Sequence, residues 1–170
     1  ELQGKSVEKK EPPVMDINVT AFIPEEWVGD KDQKMIEYKK LADVQSLLEL
    51  EIIEEEWKDR FGKIPVEVNR LIKIIKLRLM ASGISINAVK ETDGIIKIYC
   101  DYDFMEWKKY QSKLAPSLAR RLKWTKAPVS MQNAKSIILI NCTGLFNENR
   151  LNILEELFFI ISKIKNTNNL

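Results

Sequence analysis

The chain contains no histidine. That absence removes the commonest general base at neutral pH and the commonest metal ligand together, and it rules out serine–histidine and cysteine–histidine nucleophiles within the chain. Glycine is scarce as well. The six glycines stand singly at 4, 29, 62, 83, 94 and 144, so no glycine-rich loop can cradle a phosphate. At Gly62-Lys63 the next residue is Ile64, and Trp57 occupies the place of a phosphate-binding loop's first glycine, so this is no nucleotide motif. The two cysteines, Cys100 and Cys142, lie in apolar, β-branched runs without short ligand spacing. They fit buried, inert strand thiols of a reduced, cytoplasmic protein. No run of about 18 apolar residues occurs, and Glu1-Leu2-Gln3-Gly4-Lys5-Ser6 lacks the basic start and apolar middle of an export signal. No membrane span or membrane partner is expected. Because residue 1 is Glu1 and not methionine, the expectation is a piece cut from a larger protein, or a cloning remnant, with the activity elsewhere.

What is present is the composition of one folded domain. The 170 residues are 45% hydrophobic and 31% charged, enough chain to withdraw roughly 70% of its unfolded surface from water. The net charge of +2 is small, but its distribution is two-sided. Seven acids (Asp43, Glu49, Glu51, Glu54, Glu55, Glu56, Asp59) accompany the single base Lys58 between Asp43 and Asp59, whereas Trp107 to Asn147 holds eight bases and no acid.

Residues 1–13 end in Pro12-Pro13 and are expected to be a linker. Met15, Ile17, Val19, Ala21 and Ile23 alternate with Asp16, Asn18 and Thr20, the period of a half-buried strand that Pro24 stops. Three helices should follow. The first is capped at Asp30 or Asp32. The second spans Asp43 to Phe61, with Val44, Leu47, Leu48, Ile52 and Trp57 as its apolar stripe and Gly62 at its end. The third opens at Pro65 and ends at Gly83. Thr92-Asp93-Gly94 joins two β-rich runs into a hairpin. Phe104 to Leu122 is expected to be helical with a restart at Pro116, Leu122–Lys126 and Ser136–Cys142 to be strands, and Asn147 to open a last helix with a frayed tail over 166–170. The fold class is α+β (mixed α/β): a small, mostly antiparallel sheet packed with about five helices, in a single domain over 14–165.

Two surfaces carry candidate chemistry. The acidic run could pair carboxylates, but successive helix positions point about 100° apart, which suits a solvated or protein-docking face better than a catalytic one. In the basic half, Lys108, Lys109, Arg120 and Arg121 interleave with Trp107, Tyr110 and Trp124, as in a surface that neutralises phosphates and stacks bases. Those four cations are the candidate nucleic-acid contacts. Trp107 and Tyr110, three apart on the expected helix, can equally pack inward.

The runs Phe22-Ile23-Pro24-Glu25-Glu26, Tyr38-Lys39-Lys40-Leu41-Ala42, Asp59-Arg60-Phe61-Gly62-Lys63-Ile64-Pro65 and Leu77 through Ala81 to Gly83-Ile84 resemble, in order and spacing, the C-terminal domain of the bacterial transcription-repair coupling factor. The likeness is specific from about Val14 to Gly94 and continues to Leu170 by element order and length. It implies a parent that is a large ATP-driven DNA translocase, which displaces stalled RNA polymerase and recruits the excision-repair damage sensor. The motor, with its ATP and magnesium, belongs to other domains, so no cofactor is expected in this one. DNA is then reached through the parent, with no direct contact expected here. The module itself, by resemblance, is a regulatory clamp on the N-terminal repair-like domain that masks the sensor-binding surface.

Glu56, Asp59 and Arg60 become the candidate interdomain contact. Glu56 and Arg60 are i,i+4 neighbours, and Phe61-Gly62 sets the helix end. The same residues fit an ordinary corner, with Phe61 in the core and Arg60 on helix-end carbonyls. Lys34, Lys39 and Lys40 stand where arginine is common in the family, exchanging a forked donor for a point charge.

Overall fold

The computed structural model describes residues 11–168. Its elements run β1 (Val14–Asp16), α1 (Glu25–Val28), α2 (Lys31–Asp43), α3 (Leu47–Phe61), α4 (Val66–Gly83), β2 (Ile86–Thr92), β3 (Ile95–Cys100), α5 (Phe104–Gln111), α6 (Pro116–Ala119), β4 (Leu122–Lys126), β5 (Ser136–Asn141) and α7 (Asn147–Asn168). Five helices have eight or more residues, as expected, and α1 and α6 add single turns of four. No helix among the described residues is long and apolar enough to cross a membrane. Residues 1–10 of the expected linker and 169–170 of the tail lie outside the described residues.

The sheet has the order β1-β2-β3-β5-β4, with β1 parallel to β2 and the other pairs antiparallel. It is mixed and mostly antiparallel. The parallel pair requires a long crossover, and α1 to α4 supply it. Asp93 and Gly94 both take positive φ (53° and 75°), the pair of left-handed residues that a tight hairpin turn demands.

Two expectations about boundaries change. The first strand pairs only over Val14–Asp16. Its inside–outside alternation persists to Thr20, but the backbone leaves the ladder and side chains take over its hydrogen bonds. Glu91 Oε2 accepts from Asn18 N at 2.8 Å, Arg150 Nη1 donates to Asn18 O at 2.9 Å, and Arg70 Nη1 donates to Thr20 O at 3.2 Å. An extended pattern with no free strand beside it needs such partners. Secondly, α3 begins at Leu47, capped by Ser46, whose side chain accepts from Glu49 N, so Asp43 closes α2 instead. At the other end of the chain α7 runs to Asn168, so residues 166–168 of the expected tail are helical. Thr167 Oγ1 donates to Lys163 O at 2.8 Å within that last turn.

Two apolar cores share one helix. Ile23, Leu41, Val44, Leu50, Trp57 and Ile64 join Val68 and Ile72 of α4 in the helical half. Leu77 and Ala81, further along α4, enter the larger core with one face of the sheet and with α5 and α7. Arg70–Glu148 at 2.6 Å and Lys76–Glu155 at 3.1 Å tie α4 to α7. α4 therefore holds the helical half at a set position on the sheet.

Candidate functional site

The last turn of α3 is built around a buried charge. Trp57 is fully buried, its ring edge-on to Trp27 at 5.6 Å, and Phe61 packs on Trp27 at 5.2 Å. An indole N–H taken out of water needs an acceptor. Trp57 Nε1 donates to Glu37 Oε2 at 2.7 Å, and Glu37, on α2, has no solvent exposure. The carboxylate is fully engaged: Gln33 Nε2 donates to it at 2.6 Å, Arg60 Nη1 at 3.1 Å, and Lys40 Nζ lies at 3.3 Å. Glu56 closes the ring from the solvent side, accepting from Lys40 at 2.7 Å and from Arg60 at 2.6 Å. Hydrogen bonds from Lys40 first and Arg60 second hold the Glu56 carboxyl below the ordinary glutamate value, and the bond to Glu56 raises the Lys40 ammonium. Gly62, at φ 80°, ends the helix in a backbone state that a side chain would strain, its N–H donating to Lys58 O at 3.1 Å.

Of the three residues expected to form an interdomain contact, two belong to this latch. Arg60 bridges Glu37 and Glu56 while both Arg60 and Glu56 stay partly exposed, and Arg60 serves carboxylates, not helix-end carbonyls. Asp59 is exposed and has no hydrogen-bond or ion-pair partner among the described residues. It lies on the outward stripe of α3 with Leu48, Ile52 and Glu55, at helical spacing. Leu48 and Ile52 are 66% and 59% exposed. The expected apolar stripe is thus corrected: Leu50, Ile53, Trp57 and Phe61 turn inward, while Leu47, Leu48 and Ile52 turn out. Two stripes competed for the core, and the one with both aromatics, which buries the larger area, took it. Glu37 was missed. Gln33, Glu37 and Lys40 have i,i+4 and i,i+3 spacing that signals a polar cluster, but a burial this complete depends on Trp57, which is 20 residues away.

In the basic half the aromatics are withdrawn. Trp107 and Tyr110 are 1% and 2% exposed, and Tyr110 packs edge-on against Tyr102 at 5.1 Å. Trp124 packs at a tilt against Phe104 at 5.4 Å and its Nε1 donates to Tyr102 O at 3.3 Å. Lys108, Lys109, Arg120 and Arg121 stay on the surface, with Lys108 over the Phe104 ring and Arg121 donating to Asn141 O. Stacking bases needs exposed ring faces, which Trp107 and Tyr110 do not offer.

No group of three or more metal-ligating side chains occurs among the described residues. Burial pushes the Cys100 thiol up to about 11 and raises that of Cys142. Both cysteines are fully buried, so they are protonated and shielded at neutral pH. Thiol reagents should label neither in the folded chain and both after unfolding. Rapid native labelling, read by mass spectrometry, would contradict this burial.

The family model described as "TRCF domain" matches residues 17–106. The transcription-repair-coupling factor of Rickettsia conorii is 28% identical over 109 residues, covering 62% of this chain and 10% of the relative. That of Staphylococcus aureus strain USA300 is 33% identical over 96 residues, covering 56% of this chain and 8% of the relative. The chain thus matches about a tenth of the length of these relatives. A crystal structure of the C-terminal domain of transcription-repair coupling factor has the same fold, with a TM-score of 0.75 at 20% identity over 95% of this chain and 99% of that one. The family model ends at residue 106, and the shared fold carries the likeness through the second half.

Proposed function

Because the chain belongs to the TRCF domain family, we propose that it is the non-catalytic C-terminal module of a transcription-repair-coupling factor and that it clamps another domain of the same parent. In this reading the clamp masks the surface that receives the excision-repair damage sensor. RNA polymerase and DNA are engaged by the rest of the parent, whose motor domains hold ATP and magnesium.

The observation that carries the reading is the outward stripe of α3. Leu48 and Ile52 are exposed, and Glu55 and Asp59 follow them on the same helical face. Apolar residues at one end and carboxylates at the other suit a reversible contact with a basic surface. The latch behind the stripe supports this role. Glu37, Lys40, Glu56 and Arg60 set the angle between α2 and α3, so the stripe is held ready and little ordering accompanies docking. Asp59 is then the contact, and Glu56 and Arg60 position it.

Asp59→Lys, introduced into the intact parent, tests the assignment without touching the latch. A hydrogen bond to a charged group contributes about 1.5–3 kcal/mol, and its loss shifts a closed-to-open equilibrium by about tenfold or more. Linkage then requires the damage sensor to bind the variant about tenfold more tightly. Unchanged sensor affinity, with circular dichroism showing an intact fold, would make Asp59 a merely solvated residue.

A further inference from the structure

The sheet has a second face that neither core uses. The described helices pack on the side where Ile96, Ile98, Ile138 and Ile140 are buried. Tyr99, Ile137 and Leu139 point the other way, are half-buried, and belong to neither core. Register places residues of that face in rows across the strands. One row is Lys90 on β2, Lys97 on β3, Leu139 on β5 and Lys123 on β4. Beside it runs Ala88, Tyr99, Ile137 and Thr125.

The charges on this face are unbalanced. Lys90 and Lys97 are direct cross-strand partners, an arrangement of like charges that weakens a sheet. Neither they nor Lys123 makes an ion pair among the described residues. Among the described residues the acid in register with this row is Asp16 on β1, opposite Lys90 and with no salt bridge to it. Three lysines in one row with no salt-bridge partner leave this face positively charged, which suits an anionic partner.

We propose that this open face docks an acidic amphipathic helix of a partner protein. Its apolar side rests on Tyr99, Ile137 and Leu139, and its carboxylates meet Lys90, Lys97 and Lys123. The apolar strip favours a protein over a single-stranded nucleic acid. Base stacking calls for several exposed rings, and the residues between the lysines here are aliphatic apart from Tyr99. The face is separate from the α3 stripe, so the proposal stands or falls independently of the clamp.

The test uses the full chain and a labelled helical peptide with leucines on one side and glutamates on the other, followed by fluorescence anisotropy. Binding should fall about tenfold in Lys97→Glu/Lys123→Glu, a loss of about 1.4 kcal/mol, with circular dichroism unchanged. It should also fall in Leu139→Asp. Lys97→Thr should raise the unfolding midpoint of the free chain, because it relieves the repulsion, while weakening the peptide. No peptide binding, equal binding by the Lys97→Glu/Lys123→Glu variant, or tighter binding of a single-stranded oligonucleotide than of the peptide would each overturn the proposal. A lower midpoint in Lys97→Thr would overturn the repulsion on which it rests.

Discussion

Glu37→Ala should destabilise the chain by about 3 kcal/mol. Removing one partner of a buried ion pair commonly costs about 3–5 kcal/mol. The lower end applies here because Lys40 and Arg60 are 32% and 40% exposed and remain partly hydrated and screened. The loss comes from what stays behind. Trp57 keeps a buried N–H without its acceptor, and two cations crowd Glu56 alone. Glu37→Gln should cost less, since an amide oxygen can still accept from the indole. Trp57→Phe and Glu37→Ala should be strongly non-additive, because both delete the same bond. Urea unfolding of the two single variants and the double variant measures each term. Additive losses would mean that the Trp57–Glu37 bond contributes nothing.

The same latch should give stability a characteristic pH window. The folded Glu56 carboxyl titrates below its ordinary value, so the folded state binds fewer protons there and stability rises with pH. Its contribution is complete above the unfolded value of about 4.3 and is lost as pH falls through the lowered folded one. Lys40 is raised, so its contribution is complete below about 10.4 and is lost as pH rises through the folded value. The stability difference between the native chain and Glu56→Gln should therefore be flat between about pH 5 and pH 10 and shrink on both sides. A difference that is constant down to about pH 3 would show that Glu56 is not paired in solution.

Trp107→Ala should cost about 3–5 kcal/mol, the range for deleting a large buried aromatic. The side chain is 1% exposed in the sheet-side core. Against a total stability of about 5–15 kcal/mol, that loss is a large share, and the variant should show a lowered unfolding midpoint by circular dichroism. If instead the midpoint held and affinity for a single-stranded oligonucleotide dropped at fixed salt, Trp107 would be a base platform and its burial would be overturned. Charge reversal at Lys108 and Lys109, both exposed, should leave the midpoint nearly unchanged, as surface changes usually do.

Much of the fold was legible because it is written in local patterns. Asp93-Gly94 marks a hairpin from two residues alone, since left-handed backbone is cheap for glycine and tolerated by aspartate. Gly62 marks the end of α3 for the same reason, at φ 80°, and Pro65 caps the start of α4 with a fixed φ. The candidate site was legible in part. The spacing of Glu56 and Arg60 gave their contact, whereas their shared pairing with Glu37 and Lys40 came only from the packing of α2 against α3.

By itself, the sequence determined the order and type of most elements, the alternating apolar faces, the exclusion of histidine- and glycine-loop chemistry, and the likeness to a family. Each rests on residues within a turn or two of one another, or on composition. Tertiary structure alone decided which of two apolar stripes on α3 entered the core, that Glu37 would be buried under Trp57, and that Val14–Asp16 would be the paired part of an extended run. It also decided that Lys123, distant in the chain, would share one row of an open sheet face with Lys90 and Lys97, which the hairpin already pairs. The physical reason is the same in each case. A side chain's environment is set by what packs against it across the fold, and strand register and helix contacts bring together residues whose local sequence carries no sign of the meeting.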